Sequence, residues 1–495
     1  MRPSLLGPVS VSAADHGRED LERDLWLPTL YEACARGDGL IEEAVRKEML
    51  AEPRGRETIV YRQRVLKDCL EHRDLARALY DHLGRALRAE RQVEPRFSHL
   101  SPTALLDTAR STLVPLLDGI EGARGLLSGR SGELESEGFS ALIRFLDEEL
   151  GPSFMEAARE LVRELAFDEG LGVGARLGTG CRGRDYRAVG GRLRGAGLRI
   201  ALPEGDASRQ AVEELRERGV QGTAEALSRA RDGALCFLAE TRRELAFYLG
   251  CANLVDALGA LGLETCLPEP VESSGRALSA AGLYDPCLAL ELGGPVVANS
   301  LEADGRGLVI VTGANQGGKS TFLRSLGLAQ LMTQCGMPAP ASRFRAEVCA
   351  GIFTHFRKAE DRTMISGKLD EELARLALIV DRMRPGSLLL LNESFASTNE
   401  REGSEIGRRI VGALLEAGMR IVFVTHLYDF AASFQGSGPG VLYLRAEREA
   451  DGRRSYAIAP GEPLDTSFGR DVYLEVFKEA EAHEGGGGAR ILARR

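Results

Sequence analysis

The chain has 495 residues, a formal net charge of −10 and a sequence pI near 5.5. This length allows two or three domains with separate cores. Because the net charge is negative, overall charge does not attract the chain to nucleic acid, and any such contact would need a local basic patch. The sequence has no CxxC pair, no HExxH motif, no secretory signal and no run of the ~18 apolar residues that a membrane helix needs. These absences argue against a structural zinc site and a membrane partner, and a cytoplasmic location is expected.

The first 281 residues are predicted to be mainly helical. Residues 1–25 are mostly polar and are interpreted as a flexible leader. Residues 26–281 are interpreted as a helical core or connector domain, because apolar residues recur at helical spacing in two long stretches, 103–167 and 209–261. No internal repeat is found.

A segment rich in glycine and arginine, residues 178–200, separates the two helical stretches. It has one acidic residue, Asp185, and six arginines, which are Arg182, Arg184, Arg187, Arg192, Arg194 and Arg199. The interspersed glycines predict a flexible loop or a hairpin. The arginines are suited to neutralising phosphates without reading bases, and an ordinary solvated surface hairpin is the equal alternative.

A phosphate-binding loop is indicated by residues 313–321, which read GANQGGKST. An apolar strand pattern, 307–312, precedes the loop and a helical pattern, 322–332, follows it. In such a loop, backbone N–H groups wrap the phosphates, the lysine contacts the β- and γ-phosphates and the serine helps to hold Mg²⁺. The predicted nucleotide-binding residues are Gly313, Ala314, Asn315, Gln316, Gly317, Gly318, Lys319, Ser320 and Thr321. The alternative is a chance glycine-rich turn before a helix.

A second anion site is predicted at the start of a later helix. Apolar residues from Leu373 to Val380 follow helical spacing, which places Ser366 and Gly367 at the N-terminus of that helix. Free N–H groups and the helix dipole favour an anion at such a position. An ordinary N-cap serine is the alternative.

Two further apolar strands end in residues suited to hydrolysis. The strand 387–391 is followed by Asn392 and Glu393, where many P-loop ATPases have an aspartate that steadies Mg²⁺ and a glutamate that polarises water. Because Asn392 brings no negative charge, weaker Mg²⁺ binding or slower hydrolysis is expected. The strand 421–425 leads to His426, which is suited to sensing the γ-phosphate, unless it is a satisfied histidine at a strand end. The candidate catalytic residues are Glu393, His426 and Lys319, and the candidate metal ligands are Ser320 and Asn392.

These segments resemble the MutS family. The resemblance rests on GANQGGKSTFLRSLGLAQLMTQCGMPAPA, on LLLLNESFASTNEREG and on FVTHLYDF, and it is closest over the last third of the chain. It implies an α + α/β protein: a helical core and lever region, then a P-loop ATPase domain of the ABC type with a mostly parallel sheet over residues 282–480, and a flexible tail, 481–495. It also implies that Asn299 lies near the adenine, and that Ser366 and Gly367 of a partner chain cap the γ-phosphate.

The resemblance implies an ATP-gated, Mg²⁺-dependent ATPase that forms a homodimer and acts on DNA, in repair or recombination. No Phe-x-Glu wedge of the kind that reads mismatches is found, so a mismatch-reading domain of its own is not expected. The alternative is an ATP-dependent scaffold or ribosome-associated factor with slow hydrolysis. A transporter ATPase is disfavoured because such subunits lack a helical first half.

Overall fold

The computed structural model describes residues 2–7, 18–93, 101–167, 171–177, 179, 183–190, 206–272, 275–357, 367–436, 440–448 and 454–464. The chain divides into two compact units. The helical unit comprises residues 1–9 and 64–249, and the sheet unit comprises residues 10–63 and 250–495.

The described residues contain helices and strands in both units. The helices are α1 (Arg18–Asp24), α2 (Leu27–Ala35), α3 (Gly39–Met49), α4 (Arg56–Glu71), α5 (Arg73–Arg91), α6 (Pro102–Ser128), α7 (Glu137–Glu148), α8 (Pro152–Glu164), α9 (Asp206–Ala260), α10 (Pro286–Leu292), α11 (Lys319–Cys335), α12 (Lys368–Val380), α13 (Glu400–Glu416) and α14 (Tyr428–Ala432). The strands are β1 (Leu171–Leu177), β2 (Gly183–Gly190), β3 (Glu269–Val271), β4 (Leu278–Leu283), β5 (Asn299–Glu302), β6 (Leu308–Gly313), β7 (Arg343–Glu347), β8 (Ile352–Phe356), β9 (Leu388–Asn392), β10 (Arg420–Val424), β11 (Val441–Arg448) and β12 (Arg454–Pro460). The expected mixture of helices and sheet is therefore present.

Local sequence signals start the helices of the helical unit. The Ser101 hydroxyl accepts the N–H of Ala104 at 3.2 Å at the start of α6, and the Ser136 hydroxyl accepts the N–H of Phe139 at 3.3 Å at the start of α7. Such caps satisfy N–H groups that have no partner inside the helix. A short 3₁₀ turn, Ser131–Glu133, lies between α6 and α7.

The N-terminal residues differ from the flexible leader expected over residues 1–25. Leu5 is buried, its N–H donates to Glu244 Oε2 at 2.7 Å, and its carbonyl accepts the Tyr248 hydroxyl at 2.5 Å. Residues 18–24 form α1. The polar average composition of this stretch does not reveal that Leu5 has partners on α9, and residues 8–17 lie outside the described part of the chain.

The boundary between the two units also differs from the expected one at residue 281. Residues 18–63 and 250–281 belong to the sheet unit, where α1 packs against β8 and α3 packs against α11. Leu25, Leu30 and Ile41 are fully buried there. Apolar periodicity identifies a helix but does not say which core the helix covers, so the sequence alone could not assign these helices to a unit.

The described part of the Gly/Arg-rich segment is a strand. β1 and β2 form an antiparallel ribbon in which Gly174 lies opposite Arg187 and Arg176 lies opposite Arg184. Of the two structures that the glycines allowed, a loop or a hairpin, residues 183–190 therefore form the hairpin. Residues 180–182 and 191–200 lie outside the described ranges.

Two sheets form the sheet unit. The larger one has six strands in the order β12-β11-β6-β10-β9-β8, and its described pairings are parallel except that of β11 with β12. The smaller one has the order β3-β7-β4-β5. In the larger sheet Val424 lies opposite both Val311 and Asn392, so the carboxyl ends of β6, β9 and β10 meet at one edge.

The core of the larger sheet is apolar and rich in leucine and aromatic side chains. Its central strands are fully buried, and Phe395, Phe423 and Phe430 stack edge to face with ring centroids 6.0 and 4.7 Å apart. Continuous apolar runs such as β9 are typical of parallel strands covered on both faces. Among the described residues no helix is long and apolar enough to cross a membrane.

Candidate active site

The loop between β6 and α11 is shaped by glycines. Gly313 has φ +109°, and a Cβ at this position would lie 3.0 Å from the backbone N and O of Ala446. A Cβ at Gly317 would lie 2.9 Å from the carbonyl of Ala314. Side chains at these positions would collide with backbone, so the loop can turn sharply and leave its N–H groups accessible only with glycine.

Lys319 lies inside this loop. Its Nζ donates to the carbonyl of Gly313 at 2.9 Å and to that of Ala314 at 3.0 Å, and the side chain is almost fully buried. Burial lowers the pKa of Lys319, an effect that the nearby carboxylate of Glu393 opposes and the charge of Arg454 reinforces. A desolvated ammonium at the mouth of a helix N-terminus is suited to a highly charged anion.

Ser320 and Asn392 bring two oxygen atoms together beside the lysine. The Ser320 hydroxyl donates to Asn392 Oδ1 at 2.9 Å, so the first turn of α11 touches the end of β9. Hydroxyl and amide oxygens are hard donors that suit Mg²⁺, which commonly takes few protein ligands and completes its shell with water and phosphate oxygens. The described residues contain no cluster of three or more His, Cys, Asp or Glu side chains that could hold a metal ion alone.

Glu393 and His426 form the third part of the site. His426 Nδ1 is hydrogen-bonded to Glu393 Oε2, and the N–H of Glu393 donates to the carbonyl of Val424 at 2.8 Å. The hydrogen bond to Glu393 raises the pKa of His426, although burial of the imidazole opposes it. The pair holds a carboxylate at the sheet edge, next to the lysine and the serine.

A cavity of about 580 Å³ opens in front of these groups. Of the predicted site residues, those that line it are Asn299, Asn315, Gln316, Gly317, Gly318, Lys319, Ser320, Thr321 and Glu393. Gly313, Ala314, Asn392 and His426 are not among the lining residues, but each is hydrogen-bonded to one of them. The sheet edge thus brings together residues that are up to 127 positions apart, from Asn299 to His426.

Tyr456 is a lining residue that the sequence patterns did not indicate. It lies in β12 with φ 57°, its side chain is half exposed, and its backbone and Cβ lie 3.4 Å from where a Cβ would be on Gly318. Leu292 and Val297 are exposed apolar neighbours on the same cavity. Asn299 Oδ1 accepts the N–H of Ile458 at 2.7 Å, which fixes β12 beside this wall. An aromatic residue in a strand is ordinary, so no sequence signal identifies Tyr456.

The second predicted anion site is described only in part. Gly367 occupies the position before the first turn of α12, as expected, and no side-chain cap is formed there. Gly367 is not among the described residues that line the cavity. Ser366 lies outside the described residues.

Two family models match the chain. One, for the MutS2 N-terminal domain, matches residues 54–261, and the other, for MutS domain V, matches residues 309–460. Similar curated proteins include a DNA mismatch repair protein MutS of Chloroflexus aurantiacus, 30% identical over 44% of this chain and 24% of its own length. The endonuclease MutS2 of Thermus thermophilus is 30% identical over 50% of this chain and 33% of its own length.

A further relative is the mouse MutS protein homolog 4, which is 32% identical over 27% of this chain and 14% of its own length. The chain spans a third or less of the length of these three relatives. The two family models together cover more than half of the chain, and the second includes the loop at Lys319. The chain belongs to the MutS family.

Proposed function

We propose that this chain binds ATP with Mg²⁺ and hydrolyses it slowly, and that the nucleotide acts as a switch. The observation that supports the proposal best is the convergence of three groups at one sheet edge: Lys319 inside its loop, the Ser320–Asn392 pair and the Glu393–His426 pair. These groups supply a phosphate ligand, oxygen donors for a cation and a carboxylate that can polarise water. All three functions are needed for phosphoanhydride hydrolysis.

In this proposal the loop binds the phosphates of ATP and the wall of the cavity binds the purine. Lys319 and the N–H groups of the loop are placed to hold phosphate oxygens, whose negative charge favours the protonated lysine that burial disfavours. The exposed faces of Tyr456, Leu292 and Val297 provide an apolar wall against which a purine can stack. Asn299 holds β12 in place beside that wall.

Ser320 and Asn392 would hold Mg²⁺ together with phosphate oxygens, and the bound ion would neutralise charge on the phosphates. The site offers this cation no carboxylate at position 392. Glu393 supplies a carboxylate at the same sheet edge, and the hydrogen bond to His426 holds it in place. Weak cation binding and slow hydrolysis follow from this arrangement.

Glu393 would accept a hydrogen bond from the attacking water, and His426 would keep the carboxylate turned toward the phosphates. Because the imidazole is bonded through Nδ1, its other nitrogen is left to face the γ-phosphate side or solvent. Loss of the γ-phosphate on hydrolysis would change the contacts of Glu393 and His426. The pair is therefore suited to reporting which nucleotide is bound.

The proposal is tested by measuring nucleotide binding and ATP hydrolysis for the wild type, Lys319→Ala and Glu393→Gln. Lys319→Ala should lose binding, whereas Glu393→Gln should bind ATP and lose hydrolysis, because only the second group acts after binding. Wild-type protein that neither binds nor hydrolyses ATP would overturn the proposal.

DNA is proposed as the partner of the helical unit, and the β1–β2 ribbon supports it. Side chains directly opposite in an antiparallel pair share a face, so Arg176, Arg184 and Arg187 lie on one face of the ribbon. All three are exposed. Val173 lies on the other face and packs on α9, where a Cβ on Gly219 would approach it to 2.9 Å. One face is thus fixed to a helix while the other presents three guanidinium groups and one nearby carboxylate, Asp185.

Three guanidinium groups on an exposed ribbon suit phosphate contacts without base reading. Replacing Arg176, Arg184 and Arg187 with glutamine should weaken binding of duplex DNA and reduce its dependence on salt, with little effect on the ATPase site. Similar triple replacement of Arg85, Arg88 and Arg91 on α5 is a charge-matched control. If both triple replacements changed DNA binding equally, or if neither changed it, the ribbon would be an ordinary solvated surface and not a DNA contact.

A homodimer closed by ATP is also proposed, in which Ser366 and Gly367 of one chain meet the nucleotide of the other. The location of Gly367 before the first turn of α12 is compatible with it. Sedimentation with and without ATP tests this. The relatives named for mismatch repair and as an endonuclease support a role in DNA repair or recombination.

The second candidate is an ATP-dependent scaffold or ribosome-associated factor, and Asn392 at the metal position favours it through slow turnover. Stimulation of hydrolysis by ribosomes or by a protein partner, with no response to DNA, would distinguish this candidate from a DNA-acting ATPase.

A further inference from the structure

The turn that follows β9 has an unusual backbone. Glu393 has φ 55° and Phe395 has φ 65°, in the left-handed region that bulky residues rarely adopt. Such strained conformations persist only where the surrounding structure holds them in place. The conformation therefore depends on contacts outside the turn, and it decides where the Glu393 carboxylate points.

One of these contacts comes from helix α12. Glu372 Oε1 accepts the N–H of Phe395 at 2.5 Å. Both residues are buried, and Phe395 is fully so. A carboxylate is a strong acceptor for a backbone N–H, and in a buried setting the bond excludes water as a competing partner.

The second oxygen of this carboxylate indicates that Glu372 does more than fill space in the core. Glu372 Oε2 is buried and has no hydrogen-bond partner among the described residues. Leaving such an atom unpaired is unfavourable for folding, and an apolar residue of similar size would fill the same space without that penalty. The other oxygen, Oε1, holds Phe395, and the charge of the carboxylate also acts on Arg375, three residues further along α12.

A second contact holds the middle of the same turn. His355 Nδ1 lies 2.7 Å from the Ser394 hydroxyl, and His355 Nε2 lies 3.2 Å from the carbonyl of Glu372. The Ser394 hydroxyl also lies 3.0 Å from the carbonyl of His355. With a neutral imidazole, Nε2 donates to the carbonyl of Glu372, and the one Ser394 proton is shared between Nδ1 and the carbonyl of His355. Burial lowers the pKa of His355 to about 4, so the neutral form prevails at neutral pH.

We propose that Glu372 and His355 are positioning residues that hold the turn from Glu393 to Phe395 in the conformation that presents the Glu393 carboxylate to ATP. The inference rests on the proposed ATPase function. It adds that α12, which begins directly after Gly367, is hydrogen-bonded through its second turn to the turn that carries the water-polarising residue. A displacement of α12 would thus move Glu393 within the same chain.

The test compares Glu372→Ala, Glu372→Gln and Ser394→Ala with the wild type, and uses Glu416→Ala, an exposed carboxylate on α13, as a matched control. Each protein is assayed for nucleotide affinity, for KM and kcat with ATP and for thermal stability. Assays are run well below the melting temperature, so that a purely structural loss does not lower kcat.

Glu372→Ala should lower kcat by about tenfold or more, while the KM for ATP and nucleotide affinity change by less than about threefold, because misplacing a catalytic group by about 1 Å slows the step it serves. Glu372→Gln keeps an oxygen acceptor and should retain most of kcat. Ser394→Ala should lower kcat several-fold. Glu416→Ala should match the wild type.

Wild-type kcat in both Glu372→Ala and Ser394→Ala would overturn the inference, as would a fall in affinity that matches the fall in kcat. If Glu372→Ala does not fold, Ser394→Ala decides, since it removes only one hydroxyl. An inactive wild type is a separate result, because it overturns the proposed ATPase function itself.

Discussion

The Ser320 hydroxyl donates a 2.9 Å hydrogen bond to Asn392 Oδ1, and this bond joins the start of α11 to the end of β9. An aspartate in place of Asn392 would accept the same bond and add a negative charge at the proposed cation site. The neutral amide is therefore the feature that separates this site from P-loop ATPases with an Asp-Glu pair.

Replacing Asn392 with aspartate should lower the Mg²⁺ concentration needed for half-maximal hydrolysis by about tenfold and raise kcat, because a carboxylate binds the cation more tightly than an amide. Titration of ATP hydrolysis with Mg²⁺ measures both. Unchanged cation dependence and turnover would show that Asn392 does not limit the reaction. Asn399→Asp, at the cap of α13, is a control for added charge.

Stability should depend on pH through the Glu393–His426 bond. The hydrogen bond raises the pKa of His426 above its unfolded value, so the contribution of the bond is fully present below the unfolded pKa of about 6.5 and is lost as pH rises through the folded pKa. The difference in melting temperature between wild type and His426→Gln should therefore be larger at pH 6 than at pH 9. An equal difference at both pH values would contradict this coupling.

Tyr456 should contribute to nucleotide affinity more than to turnover. Tyr456→Ala should raise the KM for ATP by about threefold to tenfold with kcat nearly unchanged, as expected for losing one aromatic stacking contact of ~1 kcal/mol. Tyr456→Phe should behave like the wild type, since it keeps the ring. A loss of kcat in Tyr456→Phe would mean that the hydroxyl, rather than the ring face, is the functional group.

A buried ion pair between Arg324 and Asp285 lies at the wall of the cavity that is proposed to bind the purine base. Arg324 Nε lies 2.5 Å from Asp285 Oδ2, Asp285 also caps α10, and the guanidinium carbon lies 3.3 Å from the ring centroid of Trp26. Arg324→Met should destabilise the protein by about 3–5 kcal/mol, because it leaves a buried carboxylate unpaired. Urea unfolding measures the loss.

Asp285→Asn combined with Arg324→Met should recover part of this stability, because neither charge is then left alone. Trp26 is the sole tryptophan of the chain, so its fluorescence reports directly on the pair. Additive effects of the two substitutions would show that the ion pair is not coupled.

The sequence identified most of the candidate site because its chemistry is local. The loop from Gly313 to Thr321 needs glycines, a lysine and a serine at set spacings, and this pattern can be recognised in the sequence alone. Asn392 and His426 could be recognised as candidate site residues for a similar reason, since each follows a continuous apolar run of strand length. Tyr456 was not, because its position at the cavity follows from the pairing of β12 with β11 and from a left-handed residue in a hairpin.

Contacts between distant segments were decided by the tertiary structure. Glu372 is one acidic residue in an amphipathic helix, and its bond to Phe395 becomes visible only when α12 packs beside the turn. Leu5 and Leu25 sit in a polar stretch, yet both are buried because partners far along the chain cover them.

The sequence by itself thus determined the family, the mixed helical and parallel-sheet character and the order of the proposed nucleotide-binding motifs, since these depend on short-range spacing and periodicity. Only the tertiary structure decided which unit each early helix joins, which residues wall the cavity and which buried groups hold Glu393. Those features depend on burial and on the pairing of side chains that lie far apart in the chain, and no local pattern encodes them.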